Sequence, residues 1–174
     1  MTDRFAHHLR LDRIGEGERL DLSADDDERK AIAQRLRLES LSCLEAHAVL
    51  SRAGDVIRAE GRLAASLQQR CVVTNDSIAE HVDEHFELIF MPAPADTARE
   101  EEIELGGKDL DVVFHDGAEI DLGTAIADTL ALSLDPYPRS AGADAALQEA
   151  GVLTEAEAGP FAILAQLKKG SDNA

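Results

Sequence analysis

Residues 44–90 read LEAHAVLSRAGDVIRAEGRLAASLQQRCVVTNDSIAEHVDEHFELIF. Apolar and polar residues alternate along this stretch, and turn-forming residues interrupt the alternation at 53–55 (AGD) and at 74–77 (TNDS). A period of two is typical of strands with one face in the core and one in water, and short turns rich in Gly, Asn and Asp join antiparallel neighbours. The stretch therefore predicts a three-stranded antiparallel meander as the core of a sheet at about residues 37–90.

The sequence before the meander predicts one strand and one helix. Residues 4–11 alternate loosely between apolar and polar side chains, as a strand does. Ser23 precedes a run of acidic residues at 25–28, and acids in a first helical turn complement the helix dipole. We therefore expect Ser23 to cap a helix that ends near Arg35.

The sequence after the meander predicts a short strand at 110–114 and then helices. Asp121 is a plausible N-cap, and apolar residues recur every four positions behind it, at Leu122, Ile126, Leu130 and Leu134. Two shorter helices are expected, at 143–150 and from Pro160 onward. The predicted fold class is α+β, an antiparallel β-sheet with a few packing helices.

Length and composition indicate an ordinary globular protein. The chain has 174 residues with 44% apolar residues, which suits one domain over residues 1–174. No apolar run approaches the roughly 20 residues that span a bilayer, and no apolar signal region follows Met1. The two cysteines are too few for a secreted disulfide framework. We therefore expect a cytoplasmic protein without a membrane partner.

The net charge of −18 is concentrated in the middle of the chain. Residues 71–128 contain 16 acidic residues and only 2 basic ones. Such a surface opposes phosphate binding, which depends on Lys and Arg releasing counterions, and it attracts basic partners. Acidic residues also keep proteins soluble without any specific partner, so both interpretations stay open.

One sequence pattern resembles a metal site. Residues 81–85 read HVDEH, which matches the His-x-x-Glu-His pattern of inverted zinc peptidases. That motif requires a helix, where residues four apart share a face. On a strand, His81 and His85 would be roughly 13 Å apart, too far for one metal ion. Because the turn signals favour a strand, we expect no metal here.

The other catalytic candidates are weak. Cys71 follows Arg70, which would favour a thiolate, but a free cysteine is usually a small buried residue. The pair His115-Asp116 precedes a glycine turn, where we expect an exposed pair without a nucleophile. The glycines lack the spacing of any nucleotide-binding loop. We therefore predict no enzyme activity and no cofactor.

Several segments resemble one known family. They occur in the same order as in that family, over about residues 37–174: RAGDVIRAEG at 52–61, QRCVVT at 69–74, EIDLG at 119–123, LDPYPR at 134–139 and PFAILA at 160–165. By these segments the chain resembles the YceD-like family, which is named for accumulation of the large-subunit ribosomal RNA. The resemblance implies a role in accumulation or maturation of the large-subunit (23S) ribosomal RNA, without a known catalytic activity.

The chain departs from the family pattern at one position. Many members have Cys-x-x-Cys where residues 68–71 read QQRC, and some have a further His or Cys after the proline turn, where this chain has Arg139 and alanines. A structural zinc site needs about four ligands. The resemblance therefore implies no zinc site in this chain.

Direct binding to ribosomal RNA is one hypothesis for the family role. Four arginines fall within nineteen residues, at Arg52, Arg58, Arg62 and Arg70. Arg58 and Arg62 share one strand face, with Glu60 between them on that face. These arginines could form a small basic patch that contacts RNA, or they could serve only in cross-strand ion pairs.

Binding to a protein is the alternative hypothesis, in which the effect on RNA is indirect. Members of the resembled family are commonly encoded beside a small basic ribosomal protein of the large subunit, which makes that protein a candidate partner. Residues 92–108 are rich in proline and acids and predict an exposed, mobile acidic loop. The candidate contacts are Glu100, Glu101, Glu102 and Glu104. The loop could equally have no specific role.

Overall fold

The computed structural model describes residue 5, residues 7–93 and residues 111–152. These residues form seven strands, a single 3-10 turn at Leu11–Arg13 and three helices. In chain order the strands and helices are β1 His8–Arg10, β2 Glu18–Ser23, α1 Asp26–Leu36, β3 Ser40–Ala53, β4 Val56–Arg70, β5 Ser77–Pro92, β6 Asp111–His115, β7 Glu119–Asp121, α2 Leu122–Ser133 and α3 Ala143–Glu149. No helix among them is long and apolar enough to cross a membrane.

The predicted meander is confirmed as β3, β4 and β5. These strands are neighbours in a five-stranded sheet of order β2-β3-β4-β5-β6, and β1 pairs with β7 in a separate two-stranded sheet. The β2–β3 and β3–β4 pairs are antiparallel, whereas the edge strand β6 runs parallel to β5, with Phe90 opposite Val113. The fold class is α+β, as the sequence predicted.

The alternation of the meander places one face of the sheet in the core. Leu44, Leu50, Ile57 and Leu63 are fully buried, and the residues between them are mostly exposed. The apolar stripe of α2 belongs to the same buried cluster, as expected. Burial of one such side chain contributes about 1.5–3 kcal/mol, so this pattern accounts for much of the stability of the sheet.

Gly61 allows a close approach inside the sheet. A Cβ atom at this position would lie 2.0 Å from the carbonyl oxygen of His47 and 2.7 Å from Cζ of Phe86. Real Cβ atoms do not approach a carbonyl oxygen so closely. A side chain at position 61 would therefore displace the Phe86 ring and the β3 backbone.

The N-cap of α2 is Asp121, as predicted, but the N-cap of α1 is not the predicted Ser23. Asp121 accepts a hydrogen bond from the N–H of Thr124, as predicted. The cap of α1 is Asp25, whose carboxylate accepts from the N–H groups of Asp27 and Glu28, while Glu28 accepts from the N–H of Asp25. The prediction of Ser23 was wrong because residues 18–23 form β2, a strand that the sequence analysis did not predict.

The described residues fall into two compact units. The first comprises residues 5–69 and 79–136, with the gaps given above, and the second comprises residues 70–78 and 137–152. The prediction of one domain over residues 1–174 stays a prediction. Most of the predicted loop at 92–108, and the helix predicted from Pro160, lie outside the described residues, although Pro92 ends β5.

Candidate functional site

Arg58, one of the predicted RNA contacts, lies on the exposed face of β4. Its guanidinium contacts two carboxylates: that of Glu60 on the same strand, at 2.6 Å from Nε to Oε1, and that of Glu87 on β5. These exposed contacts contribute little stability. They do, however, place two carboxylates beside the guanidinium group that would have to bind phosphate if this face contacts RNA.

Arg62 lies on the same face and has a carboxylate partner of its own. Its Nη2 donates to Oδ2 of Asp83 on β5 at 2.5 Å, and its Nε donates to the other carboxylate oxygen. Such a two-point pair fixes both side chains more firmly than a single contact does. The hydrogen bond from Arg62 lowers the pKa of Asp83 and keeps this carboxylate ionised.

This ion pair belongs to a row of polar side chains that crosses the sheet. Asp21 of β2 lies opposite His47 of β3, and His47 lies opposite Arg62 of β4. The Nδ1 atom of His47 is 2.6 Å from Oδ1 of Asp21. The row Asp21–His47–Arg62–Asp83 therefore begins and ends on a carboxylate.

Arg52 and Arg70 bind backbone carbonyl groups. Arg52 donates to the carbonyl oxygen of Gly54 at 2.8 Å and to that of Leu11. Arg70 donates to the carbonyl oxygen of Asn75 at 3.3 Å. These contacts fix the guanidinium groups to nearby turns. The assignment of the four arginines to RNA binding stays a prediction.

The candidate metal residues lie on a strand. His81 and His85 belong to β5, so the strand interpretation of residues 81–85 is confirmed. The ring of His81 contacts the Ser66 hydroxyl at 3.2 Å. Among the described residues, no group of three or more His, Cys, Asp or Glu side chains is arranged to hold a metal ion.

The acidic residues predicted to contact a basic protein, Glu100, Glu101, Glu102 and Glu104, lie outside the described residues. Their assignment stays a prediction.

Cys71 is buried directly after β4 and accepts three backbone hydrogen bonds. Its Sγ lies 3.2 Å from the amide nitrogen of Ser140, 3.3 Å from that of Thr74 and 3.4 Å from that of Val73. Burial of the thiol raises its pKa, but the hydrogen bonds from Ser140 and Thr74 outweigh burial and lower the pKa to about 6.

The sequence pointed to Arg70 as the group that would favour a thiolate at Cys71, and that role of Arg70 stays a prediction. The groups that lower the pKa of Cys71 in the structure are Ser140 and Thr74, and Arg70 donates to the carbonyl oxygen of Asn75. The strongest donor is Ser140, which is 69 positions away in the chain. A spacing pattern could not have identified it.

His115 is buried, although the sequence analysis expected an exposed pair with Asp116. Its Nδ1 accepts from the N–H of Gly117 at 3.0 Å, so Nε2 carries the proton and donates to the carbonyl oxygen of Asp55 at 2.8 Å. Asp116 accepts from the N–H of Ala118, which lowers its pKa. Both residues therefore fix the β6–β7 turn.

A groove that the sequence analysis did not predict lies between β6, β7 and α2, with a volume of about 580 Å³. Apolar side chains form its floor, including Phe90 of β5 and Ile120 of β7. Five carboxylates also line it, at Asp111, Asp116, Glu119, Asp121 and Asp128. The only signal in the sequence was the high density of acids in residues 71–128.

Comparison with known proteins identifies the family. The family model described as "Large ribosomal RNA subunit accumulation protein YceD" matches residues 59–168, which is more than half of the chain. No curated protein and no solved structure gave a significant match. The matched range contains four of the five resembling segments whole and begins inside the fifth, RAGDVIRAEG. The chain therefore belongs to the YceD family, which is described by accumulation of the large-subunit ribosomal RNA and not by an enzyme class.

Proposed function

We propose that this protein is a non-enzymatic cytoplasmic factor that supports accumulation and maturation of the large-subunit (23S) ribosomal RNA by binding a basic ribosomal protein. The family description supports the general role. The net charge of −18 supports a basic partner, because opposite charge speeds encounter and penalises wrong partners. On this proposal, the protein partner transmits the effect on RNA.

The observation that carries the proposal is the pairing of the sheet arginines. Arg58 contacts Glu60 and Glu87, and Arg62 contacts Asp83 at two points. Phosphate binding requires cations that can exchange small counterions for phosphate. A phosphate at Arg62 would have to compete with a carboxylate already fixed by two hydrogen bonds, and it would then lie beside that negative charge.

Direct contact with RNA remains the competing function because Arg58 and Arg62 are exposed on one strand face. The two functions differ in which ribosomal component binds the purified full chain. The test is to incubate the tagged protein separately with 23S ribosomal RNA and with the proteins stripped by salt from large ribosomal subunits.

We expect a small basic protein of the large subunit to bind, and we expect this binding to weaken as salt rises. We expect little binding to RNA at physiological ionic strength. The double variant Arg58→Glu/Arg62→Glu should retain the protein partner. If the wild-type chain binds the RNA tightly and this variant does not, the proposal is wrong and the arginine face binds RNA.

A further inference from the structure

The groove between β6, β7 and α2 combines an apolar floor with apolar side chains that remain exposed at its edge. Phe90 and Ile120 are buried in the floor, whereas Phe114 is 53% exposed and Leu132 is 76% exposed. Exposed Leu or Phe side chains are common singly, but these two line the same concave site. Among the described residues, the groove therefore offers exposed apolar contact area.

The charges around this groove are predominantly negative. Asp111 begins β6, Glu119 begins β7, and Asp128 lies on α2. Among the described residues that line the groove there is no Lys or Arg. Its two histidines are His8, whose ring contacts Glu119 at 3.1 Å, and the buried His115, whose ring binds the Asp55 carbonyl and the Gly117 N–H. Arg35 lies near the edge and pairs with Asp128 at 3.3 Å. The five acids of the lining still outnumber the two histidines and Arg35.

This combination defines the chemistry of the occupant. Apolar side chains would fill the floor, and Lys or Arg side chains on either side of them would meet the carboxylates. Residues 94–110 precede β6 directly, but they contain six acidic residues and two basic ones, so the chain's own segment would bring like charge into the groove. RNA phosphates would be repelled for the same reason.

We infer that this groove docks a protein segment whose apolar side chains are flanked by lysines or arginines. The inference rests on the proposed function, because it assigns to this groove the basic ribosomal protein proposed there. It also names a binding surface, formed by His8 and by residues within 88–90 and 111–132, that is separate from Glu100–Glu104 and from the arginine face.

The test uses the full chain and a fluorescein-labelled peptide of about ten residues in which lysine and valine alternate. A peptide with glutamate in place of lysine is the charge control. Two double variants alter the groove: Phe114→Ser/Leu132→Ser removes apolar contacts, and Asp111→Asn/Glu119→Gln removes charge. Val49→Ser is the matched apolar control, because Val49 is 45% exposed on β3 and does not line the groove.

We expect the wild-type chain to bind the lysine peptide and not the glutamate peptide, with an affinity that falls as salt rises. Each groove variant should weaken binding about tenfold or more, as truncation of interface anchors does, and Val49→Ser should bind as the wild type does. Thermal unfolding of each variant establishes that it is folded. Wild-type affinity in both groove variants, or no peptide binding by the wild type, would overturn the inference.

Two further outcomes would assign the groove to another occupant and would also overturn the inference. Replacement of residues 95–109 by a neutral Gly/Ser linker could tighten peptide binding, which would make the chain's own segment the occupant. Sedimentation could show a dimer that Phe114→Ser/Leu132→Ser dissociates, which would make a second copy the occupant.

The same variants separate this inference from the proposed function. If the stripped ribosomal proteins bind the wild type and both groove variants equally, the groove assignment fails and the proposed function stands. If these proteins do not bind the wild type at all, the proposed function fails whatever the peptide does.

Discussion

Arg62 of β4 and Asp83 of β5 form a two-point ion pair on the exposed face of the sheet, with 2.5 Å between Nη2 and Oδ2. The pair ends a row that starts at Asp21 and passes through His47. The two basic side chains of the row therefore each contact a carboxylate: His47 contacts Asp21, and Arg62 contacts Asp83. This arrangement is the physical basis for favouring a basic protein partner over RNA.

The first prediction is that removal of the Asp83 charge exposes a cation to polyanions. Asp83→Asn leaves Arg62 without its carboxylate, so affinity for 23S ribosomal RNA at low salt should rise severalfold. Glu84→Gln is the matched control, because it removes the same charge from the neighbouring exposed position of β5. Filter binding measures both. An equal rise in the two variants would show that only net charge matters and would contradict this role of the pair.

The first prediction has a second part, because the same ion pair makes stability depend on pH. The pKa of Asp83 is lowered in the folded chain, chiefly by the hydrogen bond from Arg62. Its contribution is therefore fully present above the ordinary pKa of 3.8 and is lost as the pH falls through the lower folded value. In acid unfolding, Asp83→Asn should therefore not show the loss of stability that this carboxylate causes in the wild type as the pH falls. A wild-type curve that coincides with that of the variant would contradict the shift.

The second prediction concerns Gly61. A Cβ atom there would lie 2.0 Å from the His47 carbonyl oxygen, so Gly61→Ala should lower the free energy of unfolding by about 1–3 kcal/mol or more. Gly15→Ala is the control, because no heavy atom lies within 4 Å of the corresponding Cβ position. Urea denaturation measures both variants. An unchanged midpoint for Gly61→Ala would contradict the described register of β3 and β4.

The third prediction concerns Cys71. Its pKa of about 6 means that the thiolate forms near neutral pH, which ultraviolet absorbance detects in a Cys43→Ser background containing a single thiol. Because the folded pKa is below the ordinary value of 9.0, the stabilisation is complete above pH 9, declines as the pH falls and is absent below about pH 6. Cys71→Ser should abolish the absorbance step. A midpoint near 9 would show that the amides do not stabilise the thiolate.

The fourth prediction distinguishes the two candidate caps of α1. Asp25→Ala should lower the free energy of unfolding by about 1 kcal/mol, because it removes the carboxylate that binds two backbone N–H groups. Ser23→Ala should have little effect, since Ser23 is exposed and ends β2. Equal losses in the two variants would contradict the assignment of the cap.

Local sequence patterns predicted the central part of the fold. Alternation at period two identified β3, β4 and β5 because burial of one sheet face imposes that period on Leu44, Leu50 and Leu63. Asp121 was identified because a helix cap depends on neighbours only a few positions away. Strand β2 and the parallel placement of β6 were not predicted, since both depend on pairing between distant segments.

At the candidate sites, too, the contacts between residues distant in sequence could not be predicted. The exposure of Arg58 and Arg62 followed from strand periodicity, but their partners Glu87 and Asp83 depend on the register between β4 and β5. The donor Ser140 at Cys71 and the groove beside α2 involve residues far apart in sequence. A single sequence supplies the identity of these residues but not their proximity.

The most direct test of the central claim compares the affinity of the full chain for 23S ribosomal RNA with its affinity for the proteins stripped from large ribosomal subunits, both at physiological ionic strength. We expect a small basic protein to bind tightly and equally to the wild type and to Arg58→Glu/Arg62→Glu, with weak binding of RNA. Tight binding of RNA by the wild type that this variant abolishes would contradict the claim.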